Sequence, residues 1–119
     1  MLDNIYFFID ERGRSPVRDF LMALPKKERA KISAYLMELK RQGHNLRRPM
    51  ADYLGDGIYE LRPGSHRVFY FFFVRNSAVL VHGIRKKTNK ILREDMILCI
   101  KRKEQVNSEK NPGEWNREG

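Results

Sequence analysis

Three apolar runs, IYELR, RVFYFFFVR and AVLVHGI, follow one another between Ile58 and Ile84, with only Pro-Gly-Ser-His and Asn-Ser between them. Gaps that short leave no room for a crossover helix, so neighbouring strands can only pair antiparallel. The middle run is apolar at nearly every position, which is the pattern of a central strand covered on both faces. The rest of the chain therefore has to supply two covers for one small meander.

The flanking segments read as those covers. Asn4 to Ile9 (NIYFFI) is a short apolar strand, and Glu11-Arg12-Gly13-Arg14 is a turn. Ser15-Pro16 reads as an N-cap with proline at the first helical position. Val17, Phe20, Leu21 and Leu24 then have helical spacing up to Pro25. A second helix carries Ile32, Tyr35, Leu36 and Leu39 on one stripe and ends at Gly43, and His44 to Gly57 reads as loop. A last helix runs from about Leu92 to Val106 with Leu92, Met96, Cys99 and Ile100 inward. The fold class is α+β: an N-terminal strand and two helices, an antiparallel meander and a C-terminal helix. One domain spans residues 1–105, and residues 106–119 are expected to form a disordered tail, since NSEKNPGEWNREG has almost no apolar content except Trp115.

The hairpin turns set the register. With Gly64-Ser65 as a two-residue loop, Arg62 faces Arg67 and Leu61 faces Val68. With Asn76-Ser77 as the next loop, Arg67 faces Lys86, Phe69 faces Ile84 and Phe71 faces His82. Alternation then puts Arg62, Arg67, His82 and Lys86 on one face, with Glu60 the one acidic candidate partner there. A one-residue bulge would exchange Lys86 for Arg85 and move His82 to the other face. Like charges opposite each other cost stability, which a bound anion would relieve.

Charge supports an anionic partner. The 119-residue chain carries a formal charge of +9. From Leu61 to Arg93 there are Arg62, Arg67, Arg75, Arg85, Lys86, Lys87, Lys90 and Arg93, and neither Asp nor Glu. A solvated structural surface mixes signs, so this stretch reads as a polyanion contact. No apolar run approaches the ~20 residues of a membrane-spanning helix. The N-terminus shows no basic region of a signal peptide, and the single cysteine fits a reducing cytoplasm. Three histidines and one cysteine without ligand spacing make no metal site, and no cofactor motif is present.

The blocks ELRP, HRVFY and HGIRKKT, taken together and followed by an amphipathic helix, resemble the RelE/ParE superfamily of bacterial toxins, and within it the phage-derived, HigB-like branch. The similarity runs to about Glu104. It implies a ribosome-dependent mRNA endonuclease of a type II toxin–antitoxin pair, acting on mRNA bound to the ribosome and its rRNA, and neutralised by a helix-turn-helix antitoxin. Arg67 matches the family's arginine against the scissile phosphate, with Arg62 beside it, and Arg85, Lys86 and Lys87 match its basic cluster. Many RelE-like nucleases carry a tyrosine or histidine near the C-terminus; here no tyrosine follows Tyr70 and no histidine follows His82. Acid/base work would then fall to His82, His66 or Tyr70, or to lysines.

The expected catalytic set is Arg62, Arg67, His82 and Lys86, with His66, Arg85, Lys87 and Lys90 binding RNA. Arg67 is expected to be an exposed sheet arginine dispensable for folding. Gly83 is expected to let the backbone lie close to substrate. Plainer roles stand beside these: His82 as a cap on the core, His66 as a turn residue, Tyr59, Tyr70 and Cys99 as core. Two other functions compete, a ParE-like toxin that binds a protein such as gyrase and a non-toxic nucleic-acid-binding module.

Overall fold

A computed structural model of the chain describes residues 1–86, 91, 93–109 and the backbone of 113–114. The elements are β1 (Asn4–Phe7), α1 (Pro16–Met22), α2 (Lys26–Gln42), β2 (Ala51–Gly55), β3 (Ile58–Leu61), β4 (His66–Phe73), β5 (Ser77–Arg85), α3 (Arg93–Glu109) and β6 (Gly113–Glu114). The α+β architecture of strand, two helices, meander and closing helix is as expected. The strands form one sheet in the order β2-β3-β4-β5-β1-β6.

Three features depart from the sequence reading. Ala51–Gly55, expected as loop, is an edge strand paired with β3 through a tight turn, in which Asp56 and its flanking glycines all have positive φ. β1 joins the sheet parallel to β5, with Ile5 beside Ala78, a long-range pairing that no local pattern announces. α3 continues to Glu109, three residues beyond Val106, and Gly113–Glu114 pair with Tyr6 and Phe7. The segment expected as a tail from residue 106 therefore begins as helix. Lys87, Lys90, Leu92 and Trp115 lie outside the described residues.

β4 is covered on both sides. On one face Val68 and Tyr70 pack with Leu61 and Leu80 against Val17, Leu21 and the Ile32–Leu36–Leu39 stripe of α1 and α2. On the other, Phe69 and Phe71 pack with Val79 and Val81 against Cys99 and Val106 of α3. Tyr59 stacks on Tyr70 with ring centroids 5.4 Å apart, on the α1/α2 side. Both are core, as expected. Cys99 is fully buried, and burial pushes its thiol up to about 12, so it is an inert packing residue.

The β3–β4 register is as expected, Leu61 facing Val68 and Tyr59 facing Tyr70. The β4–β5 register is not. Phe73 pairs with Ser77 across a three-residue turn, Val74-Arg75-Asn76, in which Arg75 and Asn76 take positive φ. The ladder then shifts between Phe69 and Tyr70, so that Phe69 faces His82 and Arg67 faces Ile84. The shorter register and the shift leave a displacement of two residues, which preserves the assignment of faces.

Gly83 also has a different reason to be glycine. A Cβ there would stand 2.5 Å from Cδ2 and 2.8 Å from Cε2 of the Phe20 ring, which leans on the strand from α1. The close approach is made by the chain's own core and not by substrate. Gly83→Ala should cost about 1–3 kcal/mol by overpacking, measured by urea unfolding. In a Phe20→Leu background the same substitution should cost less than half as much; equal costs would mean that the ring is not what excludes the methyl group.

Candidate functional site

The polar cluster of the sheet begins with Glu60, which is 3% exposed and points, by alternation, to the same face as Phe69. A carboxylate so buried requires cationic partners. Arg62 Nη1 donates to Glu60 Oε2 at 2.7 Å, and Arg67 Nε lies 3.6 Å from Oε1. The second distance is an ion pair without a hydrogen bond. Arg67 Nη1 is fixed instead by two backbone acceptors, donating to the carbonyls of Gly64 at 2.8 Å and His66 at 2.7 Å.

Arg67 is therefore not the exposed arginine expected. It is 8% exposed, and burial, followed by the neighbouring Arg62, lowers its pKa from the ordinary arginine value against the opposing pull of Glu60. A guanidinium still keeps its proton in such a setting. Replacing it would leave buried Glu60 with Arg62 as its one cationic partner and empty the Gly64 and His66 carbonyls, so Arg67 carries stability as well as charge.

A third guanidinium joins from the loop before β2. Arg48 donates through Nε and Nη2 to Asp52 Oδ2 at 3.1 and 2.8 Å, and Asp52 stands opposite Glu60. Two acids in facing positions would repel; here three arginines surround them. The Arg48 hydrogen bond is the main cause of the lowered pKa of Asp52, and the charge of Arg62 adds to it. Three cations on two carboxylates leave the cluster net positive.

Along β5 the residues of that face are His82 and Ile84, with Lys86 next by alternation. Lys86 is half-buried, and its backbone N–H donates to the Ser65 carbonyl at 2.7 Å, closing the strand end onto the β3–β4 turn. The His82 ring stacks on Phe69 at 5.5 Å between centroids, and its Nε2 lies 2.8 Å from Asp95 Oδ1 in the first turn of α3. Arg62, Arg67, His82 and Lys86 thus share one face, as expected, although the pairing that brings them there differs.

Arg85 and His66 do not join them. They pair with each other across β4 and β5 and lie on the opposite face, Arg85 exposed and His66 only 4% exposed. His66 sets its ring edge-on to Phe20 at 6.0 Å, with Nε2 3.7 Å from Glu28 Oε1. It is a packed residue and not an RNA-facing one. Tyr70 is fully buried on that side too, and burial raises its phenol well above the ordinary value. This removes it from proton transfer at the arginine face. Asp95, Arg48 and Asp52 were missed, since each reaches the cluster from outside the acid-free stretch.

A four-stranded meander under two N-terminal helices and closed by a C-terminal one, with arginines gathered at one end of the sheet, has the build of a small RelE-like protein. Residues 19–104 match the phage-derived Gp49-like family (DUF891), and the chain belongs to it. That family is RelE-like and toxin-like, of the kind found in toxin–antitoxin systems. No curated protein matches the chain.

The geometry orders the stability effects. Glu60→Gln leaves two guanidiniums without their shared counter-charge and should cost about 3 kcal/mol, the lower end for breaking a buried pair. Arg62→Gln, at a half-buried position, should cost well under half of that. Urea unfolding of both variants checks the order, and an equal or smaller cost for Glu60→Gln would contradict it.

Proposed function

We propose that this protein is the toxin of a type II toxin–antitoxin system, HigB-like, and that it cuts mRNA on the ribosome by metal-free attack of a 2′-hydroxyl on its own phosphate. The observation that carries the reading is the shared face of Arg62, Arg67, His82 and Lys86, with one carboxylate between two guanidiniums. The match to the phage-derived Gp49-like family supports it.

Cleavage of this type needs cations for the phosphate, an acceptor for the 2′-hydroxyl proton and a donor for the leaving oxygen. Arg67 and Arg62 hold the phosphate, and their fixed partners mean that little reorganisation accompanies the change in charge. His82 accepts the proton as the O2′–P bond forms. The P–O5′ bond breaks, and the ammonium of Lys86 gives its proton to the 5′-oxygen. The products are a 2′,3′-cyclic phosphate and a 5′-hydroxyl. Arg85 contacts RNA outside the reacting face, and Lys87 and Lys90 contribute sequence-independent phosphate contacts. The helix-turn-helix antitoxin and the ribosome are the partners of this reading, and the cytoplasm is its compartment.

Induced expression should arrest bacterial growth within minutes, and primer extension should find cuts only in reading frames that are being translated. Lys86→Met should slow single-turnover cleavage on programmed ribosomes about 10²–10⁴-fold, the usual contribution of a positioned proton donor. Intact mRNA together with DNA breaks or blocked supercoiling would overturn the nuclease reading in favour of a gyrase-directed toxin.

A further inference from the structure

Tyr70 pairs with Leu80, whereas Phe69 pairs with His82, so Val81 is an extra residue in β5. Continued without it, the ladder would put His82 opposite Val68, on the α1/α2 face. With it, Val81 and His82 both face α3: Val81 lies in the cluster with Phe69 and Cys99, and His82 stacks on Phe69. Bulges bend a strand and re-aim a side chain, at the expense of a local break in the ladder.

α3 supplies what the break needs. Asp95, Cys99 and Arg102 recur at i, i+4 and i+7, one face of a helix. Arg102 Nη1 donates to the Val81 carbonyl at 2.7 Å, while its guanidinium carbon sits 5.1 Å from the centre of the Phe8 ring. Burial lowers the pKa of Arg102 from its ordinary value, which marks the cost of placing a cation there. About two turns away, Asp95 meets the imidazole at 2.8 Å. Two charged residues of one helix face therefore hold one bulge, Arg102 by its backbone and Asp95 by its side chain.

We infer that Asp95 and Arg102 are positioning residues for His82: Arg102 pins the Val81 bulge that turns the imidazole onto the face of Arg67, and Asp95 holds the proton on Nε2, so that Nδ1 is the atom that takes the 2′-hydroxyl proton. This rests on the reading of His82 as the proton acceptor. An ionised carboxylate only accepts hydrogen bonds, so its partner nitrogen carries the hydrogen. When Nδ1 takes the proton, Asp95 faces an imidazolium and stabilises it. The O2′–P bond forms, the P–O5′ bond breaks and the 5′-oxygen is protonated by Lys86, so the step balances without any further reactant.

Two measurements on the full chain separate this inference from the functional reading. The first is ¹⁵N NMR of histidine-labelled protein, with the His82 signal assigned by its loss in His82→Gln. Neutral His82 should be in the Nε2–H form, and Asp95→Asn should mix the two tautomers. An Nδ1–H form in the parent protein, or no change in Asp95→Asn, would overturn the inference whether or not the protein cuts RNA.

The second is single-turnover cleavage on programmed ribosomes for Asp95→Asn, Arg102→Met and Arg102→Lys, each in the parent and in the His82→Gln background. The first two should lose about 10–100-fold in rate, the scale known for partners that orient a metal-bound imidazole, with ribosome affinity unchanged. Arg102→Lys should recover part of that loss. In His82→Gln none of the three should cost anything further, because residues acting as a unit are not additive. Equal losses in both backgrounds would make Asp95 and Arg102 merely structural and sink the inference. A parent protein that cuts nothing, but holds the Nε2–H tautomer in an Asp95-dependent way, would refute the nuclease reading and leave the positioning geometry standing.

Discussion

β4 is apolar on both faces, and the rest of the molecule is arranged around the need to keep both faces out of water. Val68 and Tyr70 are met by α1 and α2, Phe69 and Phe71 by α3. Burying side chains of this size contributes about 1.5–3 kcal/mol each, so neither cover can be given up. The covers do not extend over the whole strand. The first turn of α3 reaches His82 through Asp95, and Arg67 pairs with Ile84, two residues farther along β5. The polar cluster begins where the helical cover ends, and it stands on the same rigid strands that carry the core.

Glu60 decides what kind of cluster this is. Arginines brought together without an acid would repel one another in the free protein. One buried carboxylate holds Arg62 by a hydrogen bond and lies beside Arg67, which two backbone carbonyls fix, and Asp52 holds Arg48. The acids offset only part of the charge. What remains is a preorganised positive site, which on the proposed function would meet a developing phosphate charge better than mobile lysines, because its dipoles need not turn.

The legible part of the fold was the part governed by local pattern. Gly64-Ser65 fixed the β3–β4 register, and helical spacing placed the buried stripes of α1 and α2 and, in α3, Cys99 with Met96 and Ile100 packed beside it. The β4–β5 register failed for two local reasons, a three-residue turn with Arg75 and Asn76 in the left-handed region and the extra Val81. Asn76 signals a turn, but nothing in Arg75 announces a second left-handed residue, and Val81 looks like any core strand residue. The two irregularities leave a shift of two, so the faces of Arg67 and His82 were assigned correctly from an incorrect pairing. Within the site, the acid-free stretch from Leu61 to Arg93 suggested uncompensated charge. Glu60 lies one residue before it and Asp95 two after it, and folding brings Glu60 to the arginines and Asp95 to His82. Linear charge counting sees a cation run, whereas the tertiary structure makes part of it an ion-pair network.

On the proposed function, this face cleaves RNA through the substrate's own 2′-hydroxyl. The direct measurement uses programmed ribosomes carrying an mRNA with a single 2′-deoxynucleotide on the 5′ side of the cut. The all-ribose message should be cut to a 2′,3′-cyclic phosphate and a 5′-hydroxyl, with no cleavage at the deoxy position. Cutting at the deoxy position, or a 5′-phosphate on the product, would contradict it.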